Sequence, residues 1–151
     1  MSGRVSLSQM STIVVASDAP SVRAEVIGAL EDSDKEFLEV SEGPAVARAV
    51  DEYEPDLVVA DLQMGNMGGI AVCMDLRLEE SYGNLPHVPV LLLLDRRADV
   101  FLARRSDAEG WLVKPLDPLR LKRAAQALID GGRYEDTLHH VRNPNMSRTS
   151  V

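Results

Sequence analysis

Short runs of apolar residues alternate along this chain with longer segments in which apolar positions recur every three or four residues. Four clear apolar runs and a weaker fifth lie at residues 13–16, 57–60, 90–94, 111–113 and 37–40. Unbroken apolar runs of this length are typical of strands that are buried on both faces of a sheet. The pattern therefore predicts five buried strands.

The segments between these runs predict five helices. Their apolar residues recur at helical spacing, and they are Val22, Val26 and Leu30; Val46, Ala49 and Val50; Val72 and Leu76; Phe101 and Leu102; and Leu121, Ala125 and Leu128. Asp18 is placed to cap the first helix, Asp117 to cap the last, and Gly131 to end it. Strands that alternate with helices predict an α/β fold, a doubly wound five-stranded parallel sheet with helices on both faces.

The chain has 151 residues, of which 45% are hydrophobic, and this suffices for one core. We predict an N-terminal tail at 1–11, one domain at 12–132 and a C-terminal tail at 133–151. The sole cysteine, Cys73, fits a reducing compartment, and we expect it to be a small core residue. No apolar run approaches the ~20 residues of a membrane span, so we expect a cytoplasmic protein without membrane insertion.

Charge is distributed unevenly around a net value of −8. Residues 1–94 contain 16 acidic and 5 basic side chains, whereas residues 95–151 contain 8 acidic and 11 basic side chains. So acidic a protein is a poor ligand for polyanions, which argues against nucleic acid as its main partner. Among the histidines, His139 and His140 are expected to be exposed in the tail, and His87 has no evident partner.

The functional residues of an open parallel sheet gather beyond the carboxyl ends of its strands. The residues at those ends are Ser17, Asp18, Asp61, Leu94, Asp95 and Lys114. Carboxylate oxygens are ligands for a hard cation such as Mg²⁺, and a lysine can neutralise a phosphoryl oxygen. Each residue alone is weak support, because an aspartate after a strand is often a helix cap.

The segments PDLVVADLQMGNMGG and EGWLVKPLDP resemble the phosphoacceptor and lysine-proline segments of bacterial response-regulator receiver domains, the CheY-like family with a flavodoxin-like (βα)5 fold. The resemblance covers roughly residues 12–130. It implies that Asp61 is the phosphoacceptor and that Lys114 contacts the phosphoryl group. It also implies Mg²⁺ ligands in Asp18, Asp61 and the backbone carbonyl of Gln63, a cis Lys114-Pro115 bond, and a chain turn at Gly69.

Besides two glycines in the loop after the acceptor strand, Gly65 and Gly68, three positions at the site depart from the family pattern. Ser17 replaces the first acid of the metal-binding pair, so we expect only weak Mg²⁺ binding. Leu94 replaces the switch threonine or serine, and leucine cannot hydrogen-bond a phosphoryl group. Trp111 replaces the switch tyrosine or phenylalanine, where it either locks one rotamer above Leu94 or is simply a packed surface aromatic.

Receivers commonly signal through their fourth helix, fifth strand and fifth helix. In this chain the candidate interface residues there are Arg97, Val100, Arg104, Arg105, Arg120 and Arg123, with Val100 expected to lie off the buried face of its helix. Such a surface is either a solvated charged face or a binding site for a protein with an acidic surface.

Our first hypothesis is a stand-alone atypical receiver that acts by protein-protein interaction, with reduced or absent dependence on aspartyl phosphorylation. The second is a conventional two-component switch, in which a histidine kinase or phosphotransfer protein phosphorylates Asp61. The third is a permanent accessory subunit of a larger multi-protein assembly. An enzyme acting on external substrates is not expected, since no nucleophile with an adjacent base is visible.

Overall fold

The structure, a computed structural model, describes residues 10–136. Within that range six strands, five α-helices and one 3₁₀ turn follow one another along the chain. In order they are β1 (Ser11–Ala16), α1 (Pro20–Leu30), β2 (Lys35–Val40), α2 (Pro44–Tyr53), β3 (Leu57–Asp61), α3 (Gly69–Ser81), β4 (Val90–Leu94), the 3₁₀ turn (Arg97–Asp99), α4 (Val100–Arg105), β5 (Gly110–Val113), α5 (Pro118–Ile129) and β6 (Tyr134–Glu135).

All neighbouring strands are parallel, in the order β2-β1-β3-β4-β5-β6. The predicted α/β fold is confirmed, with one correction, because the sheet has six strands rather than five. Tyr134 pairs with Gly110, and Glu135 pairs with Trp111, beyond the predicted domain end at residue 132. A strand of two residues with a charged side chain carries no apolar run that sequence reasoning could detect.

The two faces of the sheet bury two separate apolar clusters. Successive strand residues point to opposite faces, so each apolar run contributes to both clusters. Val14 and Ala16 of β1 pack in the cluster covered by α2, α3 and α4. Ile13 and Val15 pack in the cluster covered by α1 and α5. This two-sided burial explains why the strands read as continuous apolar runs.

The helix ends agree with the sequence in two of three places. The Asp117 carboxylate accepts a hydrogen bond from the Arg120 amide at 2.9 Å, and Gly131 follows α5 with a φ of +93°. The cap predicted for α1 is wrong. The residue before that helix is Ala19, with no side-chain cap, and the Asp18 carboxylate accepts a hydrogen bond from the Gly65 amide instead.

The buried face of α4 differs from the predicted one. Phe101 and Leu102 are 67% and 49% exposed, whereas Ala103 is buried and Val100 packs partly buried against the core. Val100 therefore does not lie off the buried face. A 3₁₀ turn immediately precedes this six-residue helix, and so short a helix shows too few apolar positions to define its own face.

No helix within residues 10–136 is long and apolar enough to cross a membrane. His139 and His140 lie outside the described residues.

Candidate functional site

Asp61 forms the centre of a polar cluster at the carboxyl end of the sheet. It is the last residue of β3, and only 2% of its surface is exposed. The Ser17 hydroxyl donates a hydrogen bond to one carboxylate oxygen (Oγ to Oδ2, 2.7 Å), and the Lys114 ammonium donates to the other (Nζ to Oδ1, 2.7 Å). Both oxygens of this buried carboxylate are therefore bound by side chains that follow β1 and β5.

Lys114 also binds a second carboxylate. Its Nζ lies 3.0 Å from Oδ1 of Asp95, the residue that follows β4. Burial, the largest influence on this ammonium, lowers its pKa, but the hydrogen bonds to Asp61 and Asp95 outweigh it, so the pKa of Lys114 is raised above its usual value. Lys114 is thus a charged lysine shared between two acids.

Sequence reasoning placed Asp95 at the correct edge of the sheet but gave it no role. The signal was its position one residue after a buried strand. With Asp95 included, the cluster of Asp18, Asp61, Asp95 and Lys114 has a formal charge of −2. Ser17, which follows β1, lacks the acid expected there, but Asp95, which follows β4, supplies another acid to the same cluster.

Ser17 is fully buried, and its contacts hold the turn between β1 and α1. Its hydroxyl accepts a hydrogen bond from the Ala19 amide at 3.1 Å while it donates to Asp61. Arg23 donates from Nη1 to the Ser17 carbonyl at 2.5 Å and pairs with Glu39 at 2.9 Å. Ser17 therefore neutralises no charge, but it satisfies Asp61 as a hydrogen-bond donor.

The donor set fits a tight Mg²⁺ site poorly. Asp18 and Gln63 are exposed, and the Asp18 carboxylate is bound to the Gly65 amide at 3.0 Å. The oxygens of Asp61 are already hydrogen-bonded, as described above. Among the residues that the structure describes, no group of three or more acidic, histidine or cysteine side chains is arranged to hold a metal ion.

Both residues predicted to occupy the switch positions are buried. Leu94 is 0% exposed and Trp111 is 1% exposed, and both belong to the cluster beneath α2, α3 and α4. Trp111 is therefore not a surface aromatic. The Arg104 guanidinium lies over its ring, 5.7 Å from the centroid.

Two backbone features at the site match those that the resemblance implied. The Lys114-Pro115 bond is cis. At Gly69, the first residue of α3, an added Cβ would lie 2.6 Å from the Asp61 carbonyl oxygen, so only glycine lets this helix start so close to β3.

The family described as response regulator receiver domain matches residues 13–126. This chain belongs to that family. An uncharacterized response regulatory protein of Mycobacterium tuberculosis is 32% identical over 123 residues, which cover 78% of this chain and 90% of that protein. The DNA-binding response regulator MtrA of Mycolicibacterium smegmatis is 31% identical over 119 residues, which cover 78% of this chain but only 50% of MtrA. Receiver domains are in general signalling modules rather than enzymes.

Solved receiver structures share the fold. The receiver domain of the putative response regulator NarL from Mycobacterium tuberculosis superposes with a TM-score of 0.71 at 28% identity, covering 82% of this chain and 98% of the NarL domain. The chemotaxis response regulator CheY4 of Vibrio cholerae superposes with a TM-score of 0.69, covering 79% of this chain and 98% of CheY4. At 24% identity, CheY4 supports the fold alone.

The six candidate interface residues of this receiver are not all on one surface. Arg97 is exposed, and Arg105 lies with its guanidinium 5.8 Å from the centre of the exposed Phe101 ring. Arg104 pairs with Glu135, and Arg120 pairs with Asp136. The remaining arginine, Arg123, is on the other side of α5.

That arginine, Arg123, borders a pocket between α1 and α5 that is also lined by Leu30, Lys35 and Lys122. The basic side chains of α5 therefore divide between the two sides of the helix. Arg120 faces the side of β6, whereas Arg123 faces the side of α1.

At the amino end of the sheet an ion network lies far from Asp61 in the fold. His87, for which the sequence showed no partner, places Nδ1 3.0 Å from Glu80 and Nε2 3.4 Å from Glu109. Glu109 accepts hydrogen bonds from Arg77 and from the Val90 amide. The network joins α3 to the starts of β4 and β5, which is a structural role.

Cys73 is a core residue, as the sequence indicated. It is fully buried, and its thiol donates to the Ser106 carbonyl at 3.3 Å. Burial raises the pKa of this thiol to about 11, so it carries almost no thiolate at neutral pH.

Proposed function

We propose that this receiver acts by binding another protein, with reduced or absent dependence on phosphorylation of Asp61. The observation that carries the proposal is the state of the acceptor carboxylate. Both oxygens of Asp61 are held by the chain's own donors, Ser17 and Lys114, at 2.7 Å each. Each oxygen keeps a second lone pair, but the two hydrogen bonds stabilise the carboxylate and make its attack on a phosphoryl group more costly.

Weak metal binding adds to this cost. We expect Mg²⁺ to use the Asp18 and Asp61 carboxylates and the Gln63 carbonyl, with no acid at position 17. Affinity for a hard cation falls when a ligand charge is removed. Ser17 therefore favours a cluster that is stable without metal.

Asp95 supports the same conclusion by occupying Lys114. A phosphoryl group on Asp61 would need this ammonium to neutralise one of its oxygens. The Asp95 carboxylate already lies 3.0 Å from the nitrogen, so it competes with an incoming phosphoryl oxygen. The Lys114-Asp95 pair is partly exposed, so its attraction is modest, and Asp95 reduces but does not prevent binding of a phosphoryl oxygen to Lys114.

The switch positions would transmit little of any change at Asp61. Leu94 has no hydroxyl to move toward a phosphoryl group. Trp111 is fully packed and lies beneath the Arg104 guanidinium. Two-state coupling needs an element with two arrangements that the modification can bias, and both side chains here favour one buried arrangement.

The partner we propose is a protein with an acidic surface. Arg97 and Arg105 are exposed near Phe101 and Leu102, which gives α4 an apolar centre with basic neighbours. Such a patch fits an interface in which apolar area supplies affinity and charge steers association. The net charge of −8 argues against nucleic acid.

A phosphorylation assay tests the proposal. The protein is incubated with Mg²⁺ and a small-molecule phosphoryl donor, and its intact mass is followed over time. We expect little or no increase by the mass of one phosphoryl group. Rapid, complete formation of an adduct that Asp61→Asn abolishes, together with a change in Trp111 fluorescence, would overturn the proposal.

Repair variants sharpen the same assay. The pair Ser17→Asp and Leu94→Thr restores the family's acid and hydroxyl, and Asp95→Ala frees Lys114. We expect the paired variant to raise Mg²⁺ affinity and phosphoryl incorporation, and Asp95→Ala to raise incorporation alone. If incorporation is unchanged in all of them, our account of the departures is wrong.

A conventional phosphorylation switch is the second candidate. The observations that favour it are the close Lys114-Asp61 contact and the cis Lys114-Pro115 bond, both of which suit the family's phosphoryl chemistry. In that case a histidine kinase or phosphotransfer protein would supply the phosphoryl group. The same assay separates the two candidates.

A further inference from the structure

Residues 133–136 form a strap along the outer edge of β5. Tyr134 donates its amide to the Glu109 carbonyl at 3.0 Å and pairs with Gly110 across the parallel strands. An added Cβ at Gly110 would lie 2.8 Å from the Tyr134 carbonyl oxygen. The glycine therefore permits the close approach of the strap to the sheet.

The strap is held chiefly by Asp136, which is 3% exposed. Its Oδ1 accepts a hydrogen bond from Nη1 of Arg120 at 2.6 Å, and its Oδ2 accepts one from the Val113 amide at 2.9 Å. Charge-assisted hydrogen bonds of this kind are among the stronger ones in proteins. A weaker, exposed pair joins Glu135 to Arg104 at 3.3 Å.

The two arginines that hold the strap belong to α4 and α5, and the strand between them is β5. We call the surface formed by α4, β5 and α5 the docking face. Its occupant in this structure is an extended segment with two consecutive acids, and each acid meets one arginine of that face. The strap therefore indicates that the docking face binds an extended segment with consecutive acidic residues.

We propose that the strap is an intramolecular occupant of the docking face, and that the partner is a protein whose extended acidic segment replaces it beside β5. This inference rests on the proposed function, because it specifies how the acidic partner binds. An incoming segment would add a strand to the edge of β5 after the strap leaves it, a common mode of peptide recognition.

Tethering makes the strap a strong competitor. A segment attached to its own binding site has an effective concentration in the millimolar range or above, so a micromolar free peptide of similar intrinsic affinity displaces only a small fraction of it. Any change that weakens the strap without damaging Arg104 or Arg120 should open the face to a second segment. The proposal is therefore testable in trans.

The probe is a fluorescent peptide with the sequence GGRYEDT, residues 131–137 of this chain, and its binding to the full chain is measured by fluorescence anisotropy. We expect the peptide to bind Asp136→Asn about 10- to 100-fold tighter than it binds the wild type, the range expected for losing a hydrogen bond to a charged group. The matched control is Asp130→Asn, which changes an exposed acid next to the strap and should leave binding unchanged.

Two further changes test the chemistry of recognition. The double variant Asp136→Asn and Arg120→Gln should lose the peptide, because the arginine that receives its acid is gone. The same peptide carrying Asp136→Asn should bind the open face more weakly than the original sequence does. Equal binding in either case would show that the peptide does not use the site of the strap.

Hydrogen exchange of the strap shows whether the face has opened. The Tyr134 amide should exchange faster in Asp136→Asn than in the wild type. If Asp136→Asn fails to fold, Glu135→Arg provides a second route, because it places a cation beside Arg104 on an exposed pair. Fast strap exchange without peptide binding would overturn the proposal, as would slow exchange in both folded variants.

These experiments contain no phosphoryl donor, so they can fail independently of the proposed function. Efficient phosphorylation of Asp61 with peptide binding intact would remove only the claim of reduced dependence on phosphorylation. If the strap exchanges fast, the peptide does not bind and Asp61 is not phosphorylated, only the strap proposal is wrong.

Discussion

Two buried carboxylates in this receiver have nearly the same immediate surroundings. Asp61 is 2% exposed and Asp136 is 3% exposed. Both accept a hydrogen bond from a cation, at 2.7 Å from Lys114 and 2.6 Å from Arg120, and both accept another from a neutral donor, at 2.7 Å from Ser17 and 2.9 Å from the Val113 amide. Burial and a cationic partner therefore do not distinguish the proposed acceptor carboxylate from a structural one.

The difference lies in what surrounds each pair. The cation beside Asp61 is shared with Asp95, and the exposed Asp18 carboxylate follows the neighbouring strand, so the acids outnumber the lysine. Asp136 is bound by Arg120, whose side chain is only 17% exposed and whose Nε also lies 4.0 Å from the exposed Asp117 carboxylate, and by the backbone amide of Val113. The excess of acids around Asp61 would suit a further cation, whereas the contacts of Asp136 hold the strap against β5 until a competing segment replaces it.

The largest expected effect comes from removing the structural acid. Asp136→Ala should lower the free energy of unfolding by about 3 kcal/mol, because Arg120 and the Val113 amide lose a buried acceptor. Asp61→Ala should cost less, about 1–2 kcal/mol, since Lys114 keeps Asp95. Urea unfolding followed by circular dichroism measures both, and an equal or larger loss for Asp61→Ala would reverse the comparison.

A medium effect is expected from restoring the family's acid. Ser17→Asp places a second carboxylate against buried Asp61 and should cost about 1–2 kcal/mol without metal, because like charges repel at short range. Millimolar MgCl₂ should restore part of that stability, since the ion binds only the folded state. Ser17→Ala is the control, and its unfolding midpoint should not respond to MgCl₂. If the unfolding midpoint of Ser17→Asp does not change with MgCl₂, there is no metal site at this position.

The smallest effect is expected at Asp95. Its pair with Lys114 is partly exposed, at 32% and 25% for the two side chains, so Asp95→Asn should change the free energy of unfolding by less than about 1 kcal/mol. Thermal or urea unfolding beside the exposed control Asp130→Asn measures the difference. A loss close to that of Asp136→Ala would mean that Asp95 is a structural acid rather than a competitor for Lys114.

Much of the site could be predicted because strands that alternate with helices form a parallel sheet, and the carboxyl ends of parallel strands lie at one edge. Once β1, β3 and β5 are parallel neighbours or near neighbours, Ser17, Asp61 and Lys114 must meet at one edge. The role of Asp95 could not be predicted in the same way. Which acid a lysine binds depends on side-chain reach and burial, which the linear pattern does not contain.

The sequence by itself determined the α/β class, the positions of five strands and the edge at which the polar residues gather. These features follow from the order of apolar and polar side chains, which indicates the residues that are buried. Only the tertiary structure decided the rotation of α4, the pairing of Lys114 with two acids, and the sixth strand. Each of these depends on contacts between residues distant in the chain. The sixth strand is held largely by Asp136, which pairs with Arg120 of α5, and no local sequence pattern predicts such a contact.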